Sequence, residues 1–222
     1  MALKKSSGNM YEFVTHLWTP IRGKCSHDCS YCYMKRWGNQ PPLHLDEKEM
    51  RTDLGIGNFI FVCHTCDMFA EDVHIEWIER VLRRLRLKTQ NKYLLQSKNP
   101  KRFTGFLGLY PVDVLFGTTI ETNRDIVQTK APPVKERAQE LYHLKTLGYH
   151  TMVTIEPIFD FDLDELVWLI MLAKPDWVNL GADSKGHNLP EPPVEKVREL
   201  IRVLKKNTAV KIKGNLKRLM GD

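Results

Sequence analysis

The sequence lacks several features that would place it in a specialised class of protein. Its longest apolar run, around residues 163–173, is too short to span a bilayer and contains two carboxylates. The N-terminus lacks the basic and then apolar layout of a signal peptide, and no repeat or low-complexity segment is visible. Hydrophobic residues make up 42% and charged residues 27%, which argues against disorder. We therefore expect a folded cytoplasmic protein with no membrane partner.

Charge of one sign is in only slight excess. Lysine and arginine exceed aspartate and glutamate by 33 − 27 = 6, which permits a nucleic-acid partner without demonstrating one. The densest basic stretches are residues 80–88 and 205–218, and a solvated helix face is the other interpretation of such runs. With 222 residues and uniform composition, we expect a single domain, 1–222, with a basic C-terminal segment at about 205–222.

Short apolar runs alternate with helical patterns along the chain. Strands are predicted at residues 12–18, 59–63, 93–97, 114–120, 151–156 and 177–181. Most are apolar on both faces, as parallel strands are. Residues 76–88 carry one apolar helical stripe, and residues 132–148 and 192–206 open with prolines that a first helical turn tolerates; Gly148 is a candidate C-cap.

This order of elements predicts the class α/β, as a partial (β/α)6 TIM-like barrel with mainly parallel strands. A doubly wound sheet is the alternative. In both folds the active site lies at the carboxyl ends of the strands. A candidate site residue should therefore come just after a strand.

Cysteine is scarce, yet three of the five cysteines lie within eight positions, at Cys25, Cys29 and Cys32. Thiols stay reduced in the cytosol, so such a group indicates metal ligands or redox groups rather than disulfides. Thiolates are soft ligands suited to iron–sulfur clusters, zinc or copper. Three thiolates on a [4Fe–4S] cluster leave one iron free for a substrate or cosubstrate, whereas four favour electron transfer or a structural role.

The stretch "CSHDCSYC", residues 25–32, resembles the C-x3-C-x-aromatic-C signature of radical S-adenosylmethionine (radical SAM) enzymes. The resemblance implies that its three cysteines bind a [4Fe–4S] cluster and that S-adenosylmethionine chelates the fourth iron. It also implies an external one-electron donor of the flavodoxin or ferredoxin type, and a 5′-deoxyadenosyl radical that abstracts a substrate hydrogen. The series of motifs along the chain is similar to a short phage-associated group of largely unassigned reaction, distantly similar to spore photoproduct lyase.

The resemblance further implies seven residues that bind the cofactor: Tyr31, Asp67, Ser97, Lys98, Thr119, Glu121 and Glu156. Asp67 would lie near the methionine amino group of S-adenosylmethionine, and Ser97 and Lys98 near its carboxylate. Thr119 and Glu121 stand where ribose contacts often lie. Lys98 could equally be an ordinary solvated lysine, whereas a carboxylate at the end of an apolar strand must find a partner in a poorly solvated place.

Two further cysteines, Cys63 and Cys66, stand in the second motif, where the resemblance does not lead us to expect thiols. In one interpretation they form a four-thiolate zinc site with Cys29 and Cys32, which leaves Cys25 unexplained. In a second, they are catalytic thiols that return a hydrogen atom to a product radical. In a third, they are small buried apolar residues, the commonest fate of free cysteine.

Other residues near the predicted loops have ordinary explanations that we prefer. His27 lies in a loop, where a lone histidine is more often a surface group than a ligand or base. Trp18 and Trp37 flank the cysteine loop, and packing beneath that loop is favoured over stacking on a base. The loop with Asp183, Lys185 and Asn188 lines a substrate pocket or makes a turn.

The predicted function is that of a radical SAM enzyme that modifies or rearranges a nucleobase, for example a modified pyrimidine in phage DNA. Its location would then be the bacterial host cytoplasm. One alternative substrate is a peptide or a small metabolite. The other alternative is a non-enzymatic module in which zinc clips the cysteines and the basic surface binds nucleic acid.

Overall fold

The structure is a computed structural model that describes residues 3–184 and 186–221. The chain divides into two compact units. Unit 1 is Met1–Phe116 with Thr129–Ala131, and unit 2 is Gly117–Gln128 with Pro132–Asp222. Within the described residues, no helix has the length and apolar character needed to cross a membrane. The single domain expected from the sequence stays a prediction.

The described strands are β1 Lys4–Lys5, β2 His16–Trp18, β3 Ile21–Arg22, β4 His44–Leu45, β5 Phe59–Val62, β6 Lys92–Gln96, β7 Val114–Thr119, β8 His150–Ile155, β9 Trp177–Leu180 and β10 Ala209–Ile212. The α-helices are α1 Ile75–Arg86, α2 Val134–Thr146, α3 Leu163–Ala173, α4 Val194–Leu204 and α5 Lys217–Met220. Short 3-10 helices occupy Tyr33–Trp37, Glu49–Arg51, Pro100–Leu109 and Gly214–Leu216. Each predicted strand and helix overlaps an observed one, but the strand predicted at 12–18 is reduced to His16–Trp18. Helix α3 and strands β1, β3, β4 and β10 were not predicted.

Unit 1 is built on parallel strands. β2 pairs in parallel with β5, and β5 with β6, while β1 adds an antiparallel edge to β2. β3 and β4 form a separate antiparallel pair. The apolar stripe of α1 is buried, at Ile78, Val81, Leu82 and Leu85. The carboxyl ends of β5 and β6 lead into the polar segments that the sequence marked as site candidates.

Unit 2 repeats the same arrangement of strand and helix. β8, β9 and β10 are parallel neighbours, and α3 and α4 lie between them along the chain. Helix α2 ends before Gly148, whose φ of +88° is in the left-handed region that glycine adopts without strain, as the C-cap prediction required. Strand β7 is buried throughout, and its residues divide between the two units.

Strand β10 is absent from the sequence prediction. Its four residues are exposed or half-buried, and they lie inside the basic C-terminal segment, so no apolar run marks them. The strand is defined by its ladder to β9, in which Ala209 pairs with Trp177 and Ile212 with Leu180. Residues 209–212 thus belong to the sheet of unit 2.

Candidate functional site

The three clustered cysteines lie in a loop of unit 1 between β3 and the short helix Tyr33–Trp37. The loop winds through two turns, in which Asp28 N–H donates to Cys25 O at 3.4 Å and Cys32 N–H donates to Cys29 O at 3.1 Å. Cys29 is buried and the other two thiols are partly buried, all unbridged. Burial raises the pKa of Cys32, and the nearby Cys29 and Cys25 act in the same direction. The sulfurs of Cys25 and Cys29 are therefore close enough to Cys32 to raise its pKa.

The donor set fits an iron–sulfur cluster by its chemistry. The thiolate is the form that binds metal, and a hydrogen bond from Cys66 lowers the pKa of Cys25 to about 7. Among the residues that the structure describes, no three potential ligands converge on a single metal ion. A [4Fe–4S] cluster takes its thiolates on different irons, so its ligands need not converge on one point. Three soft thiolates in one loop are suitable ligands for such a cluster.

The two additional cysteines have separate surroundings. The Cys66 thiol donates to Cys25, which raises the pKa of Cys66 and ties it to the one cysteine that the zinc interpretation leaves out. Cys63 is buried, with a φ of +57°, and burial raises its pKa to about 12. The grouping of Cys29 and Cys32 with Cys63 and Cys66 therefore receives no support from the side-chain arrangement. Cys63 matches the interpretation as a small buried residue.

The Asp67 carboxylate, which follows β5, is the hub of the site in unit 1. Its Oδ2 accepts hydrogen bonds from His27 Nε2 at 2.8 Å, from Ser97 Oγ at 2.9 Å and from the backbone N–H of Lys98 at 2.8 Å. Its Oδ1 accepts from the backbone N–H of Phe69 at 2.9 Å. Burial alone would raise the pKa of Asp67, but His27 and these N–H groups outweigh it and lower the pKa. One carboxylate thus joins the cysteine loop to the ends of β5 and β6.

The preferred interpretation of His27 as a surface group is wrong. The residue is 4% exposed and lies between two of the clustered cysteines. Burial lowers its pKa, but the hydrogen bond and the charge of Asp67 outweigh this effect and raise it. The backbone O of His27 also accepts from Lys130 N at 2.7 Å and from Thr129 Oγ1 at 3.0 Å. His27 therefore holds the cysteine loop from both its side chain and its backbone.

Lys98 and Tyr31 meet in the same part of unit 1. The Lys98 ammonium lies 5.3 Å from the centre of the Tyr31 ring, a cation–π distance, and Tyr31 is buried. Lys98 is half-buried, and its role toward the cosubstrate stays a prediction. Four of the seven cofactor-binding candidates, Tyr31, Asp67, Ser97 and Lys98, are thus gathered around the cysteine loop.

In unit 2 the candidate Glu121 forms a buried ion pair. Its Oε2 accepts from Arg137 Nη1 at 2.8 Å, and the two side chains are 1% and 3% exposed. The same guanidinium donates to the backbone O of Thr119 at 3.0 Å and to that of Pro132. Arg137 was missed from the sequence because a helical arginine normally faces water. Thr119 and Glu121 lie together at the end of β7, as predicted.

Glu156, at the end of β8, is also held by residues that the sequence did not single out. Its Oε2 accepts from Lys213 Nζ at 2.6 Å, and its Oε1 from Asn215 Nδ2 at 2.8 Å. A Cβ at Gly181 would lie 2.8 Å from Glu156 Oε1 and 2.9 Å from Asn215 Oδ1, so a larger residue there would require these two side chains to shift. Lys213 and Asn215 follow the unpredicted β10, which explains why no signal pointed to them.

The loop after β9 is held by contacts of Asp183. Asp183 is buried and accepts from the backbone N–H of His187 at 2.6 Å and pairs with its Nδ1 at 2.7 Å. Asn188 adopts a left-handed φ of +52°. Lys185 lies outside the described residues. The pocket and turn interpretations of this loop both stay predictions.

The chain was compared with known families and structures. A family model for DUF5131, described as a protein of unknown function, matches residues 9–202. The chain belongs to the DUF5131 family. No curated protein matches the sequence of this DUF5131 protein.

Solved structures share the fold of the DUF5131 protein at low identity. A variant of spore photoproduct lyase has a TM-score of 0.67 at 10% identity, over 92% of this chain and 78% of that one. Another variant, with bound AdoMet and dinucleoside spore photoproduct, has 0.62 at 12%, over 93% and 66%. SuiB of Streptococcus suis, bound to S-adenosylmethionine, has 0.61 at 9%, over 89% and 50%. The predicted α/β partial barrel with mainly parallel strands is confirmed.

Each match covers most of this chain but a smaller share of the solved structure's chain. This chain spans just under two thirds of the first two spore photoproduct lyase chains, at 66% and 64%, and half of SuiB. Those neighbours are radical SAM enzymes, so the shared fold is one that hosts this chemistry.

Proposed function

We propose that this DUF5131 protein is a radical SAM enzyme. Cys25, Cys29 and Cys32 would hold a [4Fe–4S] cluster, and S-adenosylmethionine would be the cosubstrate. When bound and reduced by an external one-electron donor of the flavodoxin or ferredoxin type, the cluster would cleave S-adenosylmethionine to methionine and a 5′-deoxyadenosyl radical, which takes a hydrogen atom from the substrate.

The observation that carries this proposal is the gathering of the cysteine loop with the ends of β5 and β6. The Asp67 carboxylate accepts from His27 of the loop and from Ser97 and Lys98 beyond β6. The ammonium of Lys98 is thereby kept near Tyr31, where it could meet the carboxylate of the cosubstrate. A structural zinc site would not require this polar connection between the cysteine loop and the ends of β5 and β6.

The residues around the cysteine loop have proposed roles. Tyr31, Ser97 and Lys98 would orient the methionine part of the cosubstrate, and Asp67 would hold them in place. Cosubstrate binding by Thr119, Glu121 and Glu156 stays a prediction. Cys63 and Cys66 as hydrogen-atom donors, and a phage origin, stay predictions.

The decisive experiment is anaerobic reconstitution with iron and sulfide. We expect about four iron and four sulfide per chain, and 5′-deoxyadenosine on addition of S-adenosylmethionine and dithionite. Serine at Cys25, Cys29 or Cys32 should abolish iron uptake, whereas Cys63→Ser should retain it, because Cys63 is outside the three-cysteine motif. A colourless protein with one zinc would instead support the non-enzymatic alternative.

For the substrate we propose a nucleobase, with a peptide or small metabolite as the alternative. One support is the dinucleoside bound by spore photoproduct lyase, a neighbour in fold. The other is a surface beside the cysteine loop, here called the loop patch: Lys24, Lys35, Arg36, Trp37 and Lys130. All five residues are exposed.

The loop patch combines positive charge with an aromatic ring. Asp28 is the acidic group among its lysines, and Lys35, Lys130 and Lys24 all lower the pKa of that carboxyl, Lys35 mainly by a hydrogen bond. Trp37 is 76% exposed, so the packing role preferred from the sequence is wrong, whereas Trp18 is fully buried as expected. Exposed aromatic rings among cations are typical of single-stranded nucleic-acid contacts.

The arginine-rich helix α1 is a less suitable nucleic-acid surface than its sequence indicates. Its arginines are engaged within the protein. The contacts are Arg80 with Glu47, Arg83 with Glu79, Arg84 with the backbone O of Thr52 and Arg86 with that of Gly108. Positive charge beside the cysteine loop is therefore the better candidate.

Trp37→Ala is expected to weaken binding of a single-stranded DNA oligonucleotide about tenfold, since stacking contributes roughly 1–3 kcal/mol per base. Fluorescence anisotropy at two salt concentrations measures it. The matched control is Trp168→Ala, which removes a tryptophan that is 51% exposed beside Lys135 and should leave binding unchanged. Equal losses of DNA affinity in the two variants would contradict a nucleic-acid role for the loop patch. So would a Trp37→Ala variant that binds DNA normally and is impaired only in its reduction by flavodoxin.

A further inference from the structure

Thr129 contacts the cysteine loop although it is one hundred positions from Cys29 in sequence. Residues 129–131 group with unit 1, while the chain on either side belongs to unit 2. Thr129 Oγ1 lies 3.2 Å from Cys29 Sγ and 3.0 Å from the backbone O of His27. It also accepts from the backbone N–H of Ala131 at 3.1 Å. One hydroxyl therefore has three neighbours inside hydrogen-bonding distance.

The hydrogen atoms available at this hydroxyl decide what it does. A threonine hydroxyl has one proton to donate and two lone pairs. While Cys29 is a thiol, its S–H donates to Thr129 Oγ1, and the hydroxyl proton is given to His27 O. A cysteine that ligates iron carries no S–H, so in the cluster-bound protein the sulfur of Cys29 can only accept.

The backbone O of His27 does not depend on that proton. It also accepts from the backbone N–H of Lys130, at 2.7 Å. The hydroxyl of Thr129 can therefore turn to Cys29 without leaving His27 O unsatisfied, while Ala131 N–H still occupies one lone pair. A hydrogen bond to the negative sulfur is the stronger one, because bonds to ionised acceptors exceed neutral ones.

We propose that the Thr129 hydroxyl donates a hydrogen bond to the Cys29 thiolate and raises the reduction potential of the cluster bound there. This inference rests on the proposed function. Hydrogen bonds to ligand sulfurs stabilise the more negative, reduced state of an iron–sulfur cluster. Thr129 is thus a positioning residue: it acts through Cys29 and touches neither substrate nor cosubstrate.

The neighbouring thiols explain why Thr129 is the informative position. Cys32 receives a hydrogen bond from the backbone of Met34, which no substitution removes. Cys25 receives hydrogen bonds from the Cys66 thiol, a weak donor, and from the backbone of Asp67. Among these contacts, Thr129 supplies the hydroxyl donor to a loop thiol. Valine can replace it with nearly the same shape.

The test is a redox titration, followed by electron paramagnetic resonance, of the reconstituted protein without S-adenosylmethionine. In Thr129→Val, which keeps the shape but lacks the hydroxyl, we expect the ratio of reduced to oxidised cluster at a fixed potential to fall about tenfold, or about 59 mV for one electron. Thr129→Ser keeps the hydroxyl and should match the wild type.

Three outcomes would overturn the inference. In the first, the valine and serine variants share the wild-type potential, so the hydroxyl has no effect. In the second, both variants lose the cluster or shift equally, so the position is merely structural. In the third, the wild-type protein takes up no iron at all, which overturns the proposed function as well and is recognised before any variant is made.

Discussion

Asp67→Asn is expected to lower the free energy of unfolding of the apoprotein by about 3 kcal/mol. The carboxylate is largely buried, at 11% exposure, and accepts four hydrogen bonds, among them that of His27. An amide keeps one oxygen acceptor but turns an NH2 group toward an N–H donor, and it removes the charge that pairs with His27. Urea unfolding followed by circular dichroism measures the change.

Asp28→Asn is the matched control, because it makes the same substitution in the same unit. Asp28 lies in the cysteine loop but is exposed and pairs with Lys35 at 3.0 Å, and asparagine tolerates its positive φ. Its effect on the free energy of unfolding should be small, because an exposed ion pair is screened by water and contributes little. Similar losses of unfolding free energy in both variants would show that the hydrogen bonds to Asp67 stabilise the fold no more than an exposed ion pair does. The same experiment with Ser97→Ala should give an intermediate loss, because one of the four donors disappears.

Arg137→Met is expected to destabilise the protein by about 3–5 kcal/mol, since it removes the cation of a buried pair and leaves the Glu121 carboxylate without the guanidinium. Arg137 is 2% exposed, and it also donates to the backbone O of Thr119. The substitution therefore disturbs the end of β7, where ribose contacts are proposed. The free energy of unfolding in urea is again the measured quantity.

Two comparisons make this second result interpretable. Arg83→Met removes an exposed helical pair with Glu79 and should change the free energy of unfolding by about 0.5 kcal/mol or less. The double variant Arg137→Met with Glu121→Leu should recover part of the loss, because apolar replacements of a buried pair are tolerated. A loss below about 1 kcal/mol for Arg137→Met, or no recovery in the double variant, would contradict a stabilising pair.

The parts of the fold that the sequence predicted are those with a local signal. Apolar runs bounded by loops marked the buried strands, and the stripe through Ile78, Val81, Leu82 and Leu85 marked α1. Strand β10 has no such signal, because its side chains are largely exposed and its definition comes from the ladder to β9. Because β10 was not predicted, Lys213 and Asn215, which follow it and donate to Glu156, were not predicted either.

The candidate site divides in the same way. The spacing of three cysteines is a local pattern, so it was visible, and strand ends indicated Asp67 and Glu121. The sequence did not reveal the hydrogen-bond partners of these residues. His27 was assigned to the surface because nothing in the sequence around a loop histidine shows that it is buried and bonded to a distant carboxylate. Trp37 was assigned to packing, yet it is exposed beside the loop, because burial depends on what the chain brings over a residue.

By itself, the sequence determined the α/β class, six strands, three helices and a loop with three thiols after the first predicted strand. Only the tertiary structure decided that Asp67 accepts from His27, that Arg137 neutralises Glu121, and that Thr129 reaches Cys29. The physical reason is the range of each interaction. Helical and strand periodicity depends on residues a few positions apart, whereas a buried polar group is satisfied by whichever donor the fold brings to it from 16, 40 or 100 positions away.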